Sequence, residues 1–461
     1  MSVRASEFIQ AIAKDMNRTN RKRPKVLLII EQCNLEGYSV PLVGYRFYEG
    51  ISQFADTTLV THARNKSALE KAHPDRNITY IAESEFIKQY YKVAERLSTV
   101  KGKVIWPLYN TLTYPVYNEF NHSVYSAFSQ VIKKGDYDIV HALTPMMPRY
   151  PVKVIEACQN TPFILGPVNG GVPFPKGFQK VARKEFSYFN FLRSVGRFII
   201  PGYRETYENA DHILAGSTYT KDLVNSLFDI EDERIDLFYE NGLSESFINP
   251  SNSTQTKNNS VVELLFVGRL VPYKGADMLI EAIDRLAPPI QARVQLSIVG
   301  DGSEKSALEQ QVKQLNLADK IAFKGWVAQR ETLAYYKTSD IFCFPSIREF
   351  GGAVVLEAMG NGLPCVVVNN GGIGEYVTAE TGFRIDPKSR EFVVQKLSEC
   401  IEQLVENPAL RQQMSREAIQ RAKAFTWQAK AAKVAELYGK VMSAHNPPGS
   451  LEAISTPVSV P

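Results

Sequence analysis

The stretch FPSIREFGGAVVLEAMGNGLPCVVVNNGGIGE, residues 344–375, decides how the chain is read. It follows an apolar run, Asp340-Ile-Phe-Cys-Phe344, that has the composition of a buried parallel strand. A loop comes next, with Arg348, Glu349 and the pair Gly351-Gly352, and an apolar helix begins at about Ala353. A glycine turn entering a helix presents backbone N–H groups beside the positive end of the helix dipole, which suits an anion. Two carboxylates bracket the turn: Glu349 before it and Glu357 about one helical turn inside. Acids beside an anion site suit the hydroxyls of a ligand that also carries phosphate. A sugar nucleotide fits that description.

The rest of the chain is consistent with such a ligand. At 461 residues it is long for one core, so two domains are expected. The hydrophobic fraction of 44% and charged fraction of 22% are those of an ordinary globular protein. A net charge of +4 argues against nucleic acid as the main partner. The five cysteines (Cys33, Cys158, Cys343, Cys365, Cys400) are scattered without zinc-like spacing, a reducing-compartment pattern. The first residues, MSVRASEFIQAIAKDMNRTNRKR, lack the apolar core and cleavage site of a secretory signal, and no run is long enough to span a bilayer. A cytoplasmic protein is expected, with contact at the inner face of a membrane as the alternative.

Residues 3–17 read as an amphipathic helix, and 1–24 as that helix with a basic link. From Lys25 onward, short apolar strands alternate with helical stretches: Lys25–Ile30, Thr57–Thr61, Ile78–Ala82, Asp138–Leu143, Pro162–Gly166, His212–Ala215 and Ile235–Tyr239. This alternation predicts a parallel sheet covered on both faces. The polar segment 249–260 reads as a hinge. A second series follows at Glu263–Gly268, Arg293–Gly300, Lys320–Gly325, Asp340–Phe344, Pro364–Val368 and Gly382–Ile385. The expected fold is α/β, with two doubly wound Rossmann-like domains, 25–248 and 261–410, facing each other across a cleft. A helical region, 411–443, returns towards the first domain, and 444–461 is a disordered tail. In such sheets ligands bind at the carboxyl ends of the strands.

Six motifs now stand in order: Phe266-Val-Gly-Arg-Leu-Val-Pro-Tyr-Lys-Gly275, Ile298-Val-Gly-Asp-Gly302, Phe323-Lys-Gly-Trp-Val327, Phe344-Pro-Ser346, Glu349 with Glu357, and Gly371-Gly372. Together they resemble the retaining nucleotide-sugar glycosyltransferases of family 4 (group 1), which have the GT-B fold. The resemblance covers roughly 25–443 and is concentrated in 264–375. Gly166-Pro-Val-Asn-Gly-Gly171 is similar to the Gly-Pro-Val-Gly-Gly loop of one subset.

The resemblance implies roles, and the residues suggest chemistry beside it. Arg269 and Lys274 follow a buried strand, where two cations suit a diphosphate; by resemblance they balance charge on the leaving nucleoside diphosphate. Glu349 is implied at the transferred sugar and Glu357 at the ribose, whose cis-diol a carboxylate can accept. The turn Phe350-Gly351-Gly352-Ala353 would offer N–H groups to diphosphate and sugar, with Gly268 nearby. Gly300 either lines the nucleotide pocket or makes a tight strand–helix turn. Trp326 and Val327 are implied at the base. Position 305 is Lys where a dinucleotide fingerprint needs glycine, which disfavours a dehydrogenase.

On the acceptor side the candidates are His141, Gly170 and Gly171. His141 also reads as a packed core histidine, because Leu143 stands where some relatives have a second histidine. Asp136-Tyr-Asp138 reads as a solvated turn, so no metal and no cofactor beyond the co-substrate is expected. The stretch 176–204 holds seven Lys or Arg and seven aromatic residues. It reads either as a membrane-surface segment or as a helix with arginines in water and aromatics in the core; the second reading is preferred. The activity implied is metal-free, same-face transfer of a sugar, a hexose above all, from a UDP-, GDP- or ADP-linked donor to a hydroxyl of a glycan, lipid or small molecule. A catalytically inactive sugar-nucleotide sensor and an epimerase are the alternatives.

Overall fold

A computed structural model of the protein describes residues 23–100, 103–249 and 261–445. The expected amino-terminal helix, nearly all of the expected hinge and the tail beyond His445 lie outside the described residues. The first sheet contains β1 (Lys25–Ile29), β2 (Asp56–His62) and β3 (Ile78–Ile81). A short antiparallel pair, β4 (Thr99–Val100) and β5 (Lys103–Val104), stands apart from it. The sheet continues with β6 (Ile139–Ala142), β7 (Phe163–Val168), β8 (His212–Ala215) and β9 (Ile235–Leu237), in the order β3-β2-β1-β6-β7-β8-β9.

The second sheet has β10 (Val262–Val267), β11 (Val294–Val299), β12 (Ile321–Gly325), β13 (Ile341–Phe344), β14 (Cys365–Val368) and β15 (Gly382–Ile385). Its order is β12-β11-β10-β13-β14-β15. Every ladder in both large sheets is parallel. The reason is visible in the strands. β13 (IFCF) and β14 (CVVV) are buried at every position, so helices must cover both faces.

Strand order reverses between β1 and β6 in the first sheet and between β10 and β13 in the second. Loops leaving the two strands at such a switch point run to opposite sides and open a crevice at the carboxyl ends. The loop after β10 carries Arg269 and Lys274, and the loop after β13 carries Glu349. Lys274 and Glu349, 75 positions apart in sequence, are thereby brought to one crevice.

The carboxyl-terminal helices divide between the domains. Pro408–Ala422 packs on Ala353–Gly360 and adds Met414, Ala418 and Ala422 to the second core. Trp427–His445 crosses back, packing on Val40–Ile51 and adding Val434, Tyr438 and Val441 to the first core. The crossing therefore falls at 423–426, later than the expected 411, because the apolar face of 408–422 is used in the second domain. Among the described residues no helix is long and apolar enough to cross a membrane.

His141 ties this return together. It is fully buried on β6, with Nδ1 2.7 Å from the Tyr438 hydroxyl and Nε2 2.7 Å from the Gly166 carbonyl. Burial pushes its pKa down to about 4, so the ring is neutral and both nitrogens are occupied. Asp138 accepts from the Lys25 backbone N–H at 2.7 Å, fastening the start of β1. Tyr438→Phe leaves a buried imidazole nitrogen without its partner. The variant is expected to lose about 1–3 kcal/mol of unfolding free energy, read from urea melts.

Candidate active site

Lys274 and Glu349 meet in the crevice of the second sheet. Lys274 ends a short 3-10 turn, Pro272–Lys274, with proline at its start, and Gly275 beyond it takes a left-handed conformation (φ 74°). A Cβ at Gly275 would lie 2.4 Å from the Pro345 carbonyl, so glycine there lets the lysine loop close on the loop after β13. Lys274 is 9% exposed and its ammonium pairs with a Glu349 carboxylate oxygen. It also lies 4.9 Å from the Phe344 ring centroid and 5.4 Å from that of Tyr273. Ser346 Oγ donates to the same carboxylate at 3.4 Å. A desolvated lysine needs an anion, and Glu349 supplies it.

Glu349 is held from behind by a parallel bridge to Gly371. Gly371 (φ 91°) would place a Cβ 1.9 Å from the Glu349 carbonyl, so only glycine permits this approach. Gly352 is the N-cap of the helix Ala353–Gly360, with φ 58°. The Glu349 side chain lies against this helix start, its Cγ 3.0 Å from where a Cβ at Gly352 would stand. Glu357 lies beyond the first turn and is 5% exposed, so dipole complementation does not explain it. Its oxygens accept from Gln329 Nε2 at 2.6 Å and from the Tyr336 hydroxyl at 2.9 Å. Burial raises its pKa against the pull of those two donors. A carboxylate offers about four acceptor positions, so two remain for a diol.

Other expected residues are less directly placed. Arg269 is exposed and donates to the Tyr273 hydroxyl at 2.8 Å, one residue from Lys274. Gly268 faces Phe344, and Gly300 is a close approach: its Cβ would lie 1.9 Å from the Gly268 carbonyl. That contact favours the tight-turn reading of Gly300. Trp326 is 65% exposed and meets Tyr38 of the first domain edge-on at 6.5 Å, whereas Val327 packs on the second core.

The opposite wall comes from the first domain. Asn169 donates from Nδ2 to the Phe350 carbonyl at 3.1 Å, and Arg348 Nε donates to the Val172 carbonyl at 2.8 Å. Glu375 accepts from the Thr218 backbone N–H at 3.0 Å and from its hydroxyl at 3.0 Å, capping the helix Thr218–Phe228 from across the cleft. Gly170 and Gly171 stand on this wall, with Gly170 N–H donating to Thr220 Oγ1 at 3.1 Å.

Glu240 and Asn241 are the residues that motif reading missed. A Cβ at Gly351 would lie 1.9 Å from Asn241 Nδ2 and 2.4 Å from Glu240 Oε1, so both side chains press on the glycine turn. Burial raises the Glu240 pKa to about 7; a hydrogen bond from Asn169 lowers it, Glu349 raises it further and Lys430 opposes that. The signal was positional: Glu240 lies just past the carboxyl end of β9, where ligands bind.

Residues 248–421 match the family described as Glycosyl transferases group 1. An uncharacterized glycosyltransferase of Methanocaldococcus jannaschii is 31% identical over 202 residues, 41% of this chain and 50% of the relative. A glycogen synthase of Mycobacterium tuberculosis is 34% identical over 178 residues, 38% of this chain and 42% of the relative. The chain thus spans half or less of either relative. The structure of Anabaena HepE in complex with UDP superposes with a TM-score of 0.58 at 18% identity, covering 90% of this chain and all of that one. The fold is therefore the GT-B arrangement of two Rossmann-like domains.

A carboxyl whose folded pKa lies above its unfolded value stabilises the fold most below the unfolded pKa, and that contribution falls as pH rises through the folded one. Stability should therefore decline between about pH 4.5 and pH 7 through Glu240. In Glu240→Gln that part of the decline is expected to disappear, read as thermal midpoint against pH.

Proposed function

We propose that this chain is a glycosyltransferase that takes a sugar from a nucleoside-diphosphate donor and passes it, with retention, to an acceptor hydroxyl. The observation that carries the reading is the Lys274–Glu349 pair at the strand switch point, directly beside the open N-terminus of Ala353–Gly360. Cation and helix start together suit a diphosphate, and the carboxylate suits the sugar attached to it.

The pair also suggests how donor binding couples to chemistry. A diphosphate takes over Lys274 as its counter-ion, and Glu349 is released to the sugar hydroxyls or to positive charge at the anomeric carbon. Lys274, with Arg269 swung in from the surface, then balances the charge that grows on the leaving nucleoside diphosphate. Glu357 receives the ribose hydroxyls, and the Phe350–Ala353 turn gives N–H groups to the phosphates. Trp326 borders the base. Same-face displacement, with the leaving phosphate accepting the acceptor's proton, is the mechanism we favour. Glu240, reaching from the facing domain with a pKa near neutrality, hydrogen-bonds sugar hydroxyls opposite Glu349. No metal is invoked. UDP is the first nucleotide to test, being the ligand of the Anabaena structure.

Donor hydrolysis and transfer assays separate the roles. Glu357→Ala is expected to raise the donor KM chiefly, and Glu349→Ala to lower kcat more than it changes KM. Lys274→Ala is expected to cost about a hundredfold or more in rate, as loss of a charge-stabilising donor does elsewhere. If both glutamate variants turned over donor like the wild type, these assignments would fail.

A further inference from the structure

The helix Phe191–Ile199 is inside out. The sequence reading placed its arginines in water and its aromatics in the core. Instead Arg193 and Arg197 are half-buried, while Phe191, Val195, Phe198 and Ile199 are exposed, Phe198 by 88%. A helix that turns guanidinium groups inward holds them for a reason other than solvation.

What Arg193 faces is the glycine loop of the first domain. Arg193 lies 3.7 Å from the Cβ position of Gly171. Arg348 reaches the same loop from the second domain through Val172, stacked near Phe174 and Phe350. Arg149 follows Met147-Pro148, which packs against Gly170. Burial, and then the charges of Arg197, Arg149 and Arg348, push the Arg193 pKa down to about 10. Glu185 and Glu349 act on Arg348. Around Arg149 and Arg193 the moderating groups are tyrosines, chiefly Tyr150, Tyr203 and Tyr219. The buried Nε atoms of Arg149, Arg193 and Arg197, with one terminal nitrogen of Arg197, have no hydrogen-bond partner among the described residues. Arg193, Arg348 and Arg149 border one loop, Arg197 adds its charge to Arg193, and the groups with donors left over repel one another until an anion arrives.

We infer that Arg149, Arg193, Arg197 and Arg348 form a phosphate-binding site on the acceptor side of the cleft, taking a phosphate group carried by the sugar acceptor. This rests on the glycosyltransferase reading for the word acceptor, but not for the anion site itself. Phosphate is favoured because its several oxygens take paired N–H donors from more than one arginine at once. The phosphate belongs either to a lipid headgroup or to a soluble phosphorylated acceptor. A lipid source accounts for the outward apolar face. The helix Trp106–Leu112, bearing exposed Trp106, packs on Phe191–Ile199 and on Glu85–Leu97, which exposes Phe86, Val93 and Leu97. Exposed Lys180, Arg183 and Lys184 lie in the segment just before it.

The test is calorimetric titration of inorganic phosphate into the full chain carrying Lys274→Ala, which removes the donor-side cation, with and without Arg193→Gln/Arg197→Gln. The Lys274→Ala form is expected to keep one phosphate site, and the added arginine changes to weaken it about tenfold or more, with Arg193→Lys/Arg197→Lys restoring part of the loss. No phosphate binding in the Lys274→Ala form, or equal binding with the arginine changes, would overturn the site. Hydrogen exchange on the wild type is independent of variant folding: phosphate should protect residues 191–199, and absence of protection there contradicts the proposal. Vesicles of phosphatidylcholine with and without phosphatidylglycerol then identify the source. Sedimentation with the anionic vesicles alone, lost in both the arginine variant and Phe198→Ser/Ile199→Ser, supports the lipid. Phosphate binding without vesicle binding supports a soluble phosphorylated acceptor. A protein that binds phosphate through these arginines yet neither binds nor hydrolyses any nucleotide sugar would keep the site and remove the transferase reading.

Discussion

The cleft depends on a lysine that is hidden from water. Lys274 is buried against Phe344 and Tyr273, and a charge so placed needs an anionic partner. Glu349 meets that need because the strand order reverses between β10 and β13. The reversal turns the loops leaving those strands into the two lips of one crevice. Gly275, Gly352 and Gly371 make the pairing sterically possible, each at positive φ and each where a Cβ would collide with a neighbour. A pair of this kind adds little net stability, since desolvation offsets most of the attraction. In the proposed reaction it is a held charge, ready for exchange when a diphosphate enters.

The second constraint lies between the domains. Polar groups from the first domain end on the backbone of the glycine turn or on the residues flanking it: Asn169 on Phe350, Glu240 and Asn241 against Gly351, the Val172 carbonyl on Arg348. The chain then reinforces this closeness by sending the helix Trp427–His445 back to the first domain, where Tyr438 meets His141. Groups of the two domains are thus kept in register by contacts that any opening of the cleft must break. Glu240 is where the two domains meet electrostatically, since its carboxyl is raised by burial and by Glu349 and lowered by Asn169 and Lys430.

Much of the fold was legible because strands buried on both faces read as unbroken apolar runs. Phe342–Phe344 and Cys365–Val368 announce themselves, and the loops between them carry the glycine and carboxylate spacing of the site. Glu349 and the Gly351-Gly352 turn were readable for that reason, and Lys274 because its loop follows the apolar strand Val262–Val267. Orientation was not legible in the same way. Residues 191–199 mix apolar and basic side chains in a pattern that fits a helix facing either way, and only tertiary packing sets Arg193 inward. Glu240 follows a three-residue strand and belongs to no motif, so its place against Gly351 depends on the other domain. His141 stood between a catalytic and a packed reading because its partner, Tyr438, lies 297 residues away.

The most direct measurement is calorimetric titration of UDP, GDP and ADP into the wild type, Lys274→Ala, Glu349→Ala and the double variant. If Lys274 exchanges Glu349 for the diphosphate, one nucleotide binds the wild type and Lys274→Ala weakens it by about tenfold or more. Glu349→Ala should then bind that nucleotide at least as well as the wild type, because the competing carboxylate is gone. Equal affinity in wild type and Lys274→Ala, or no binding of any of the three, would contradict the account.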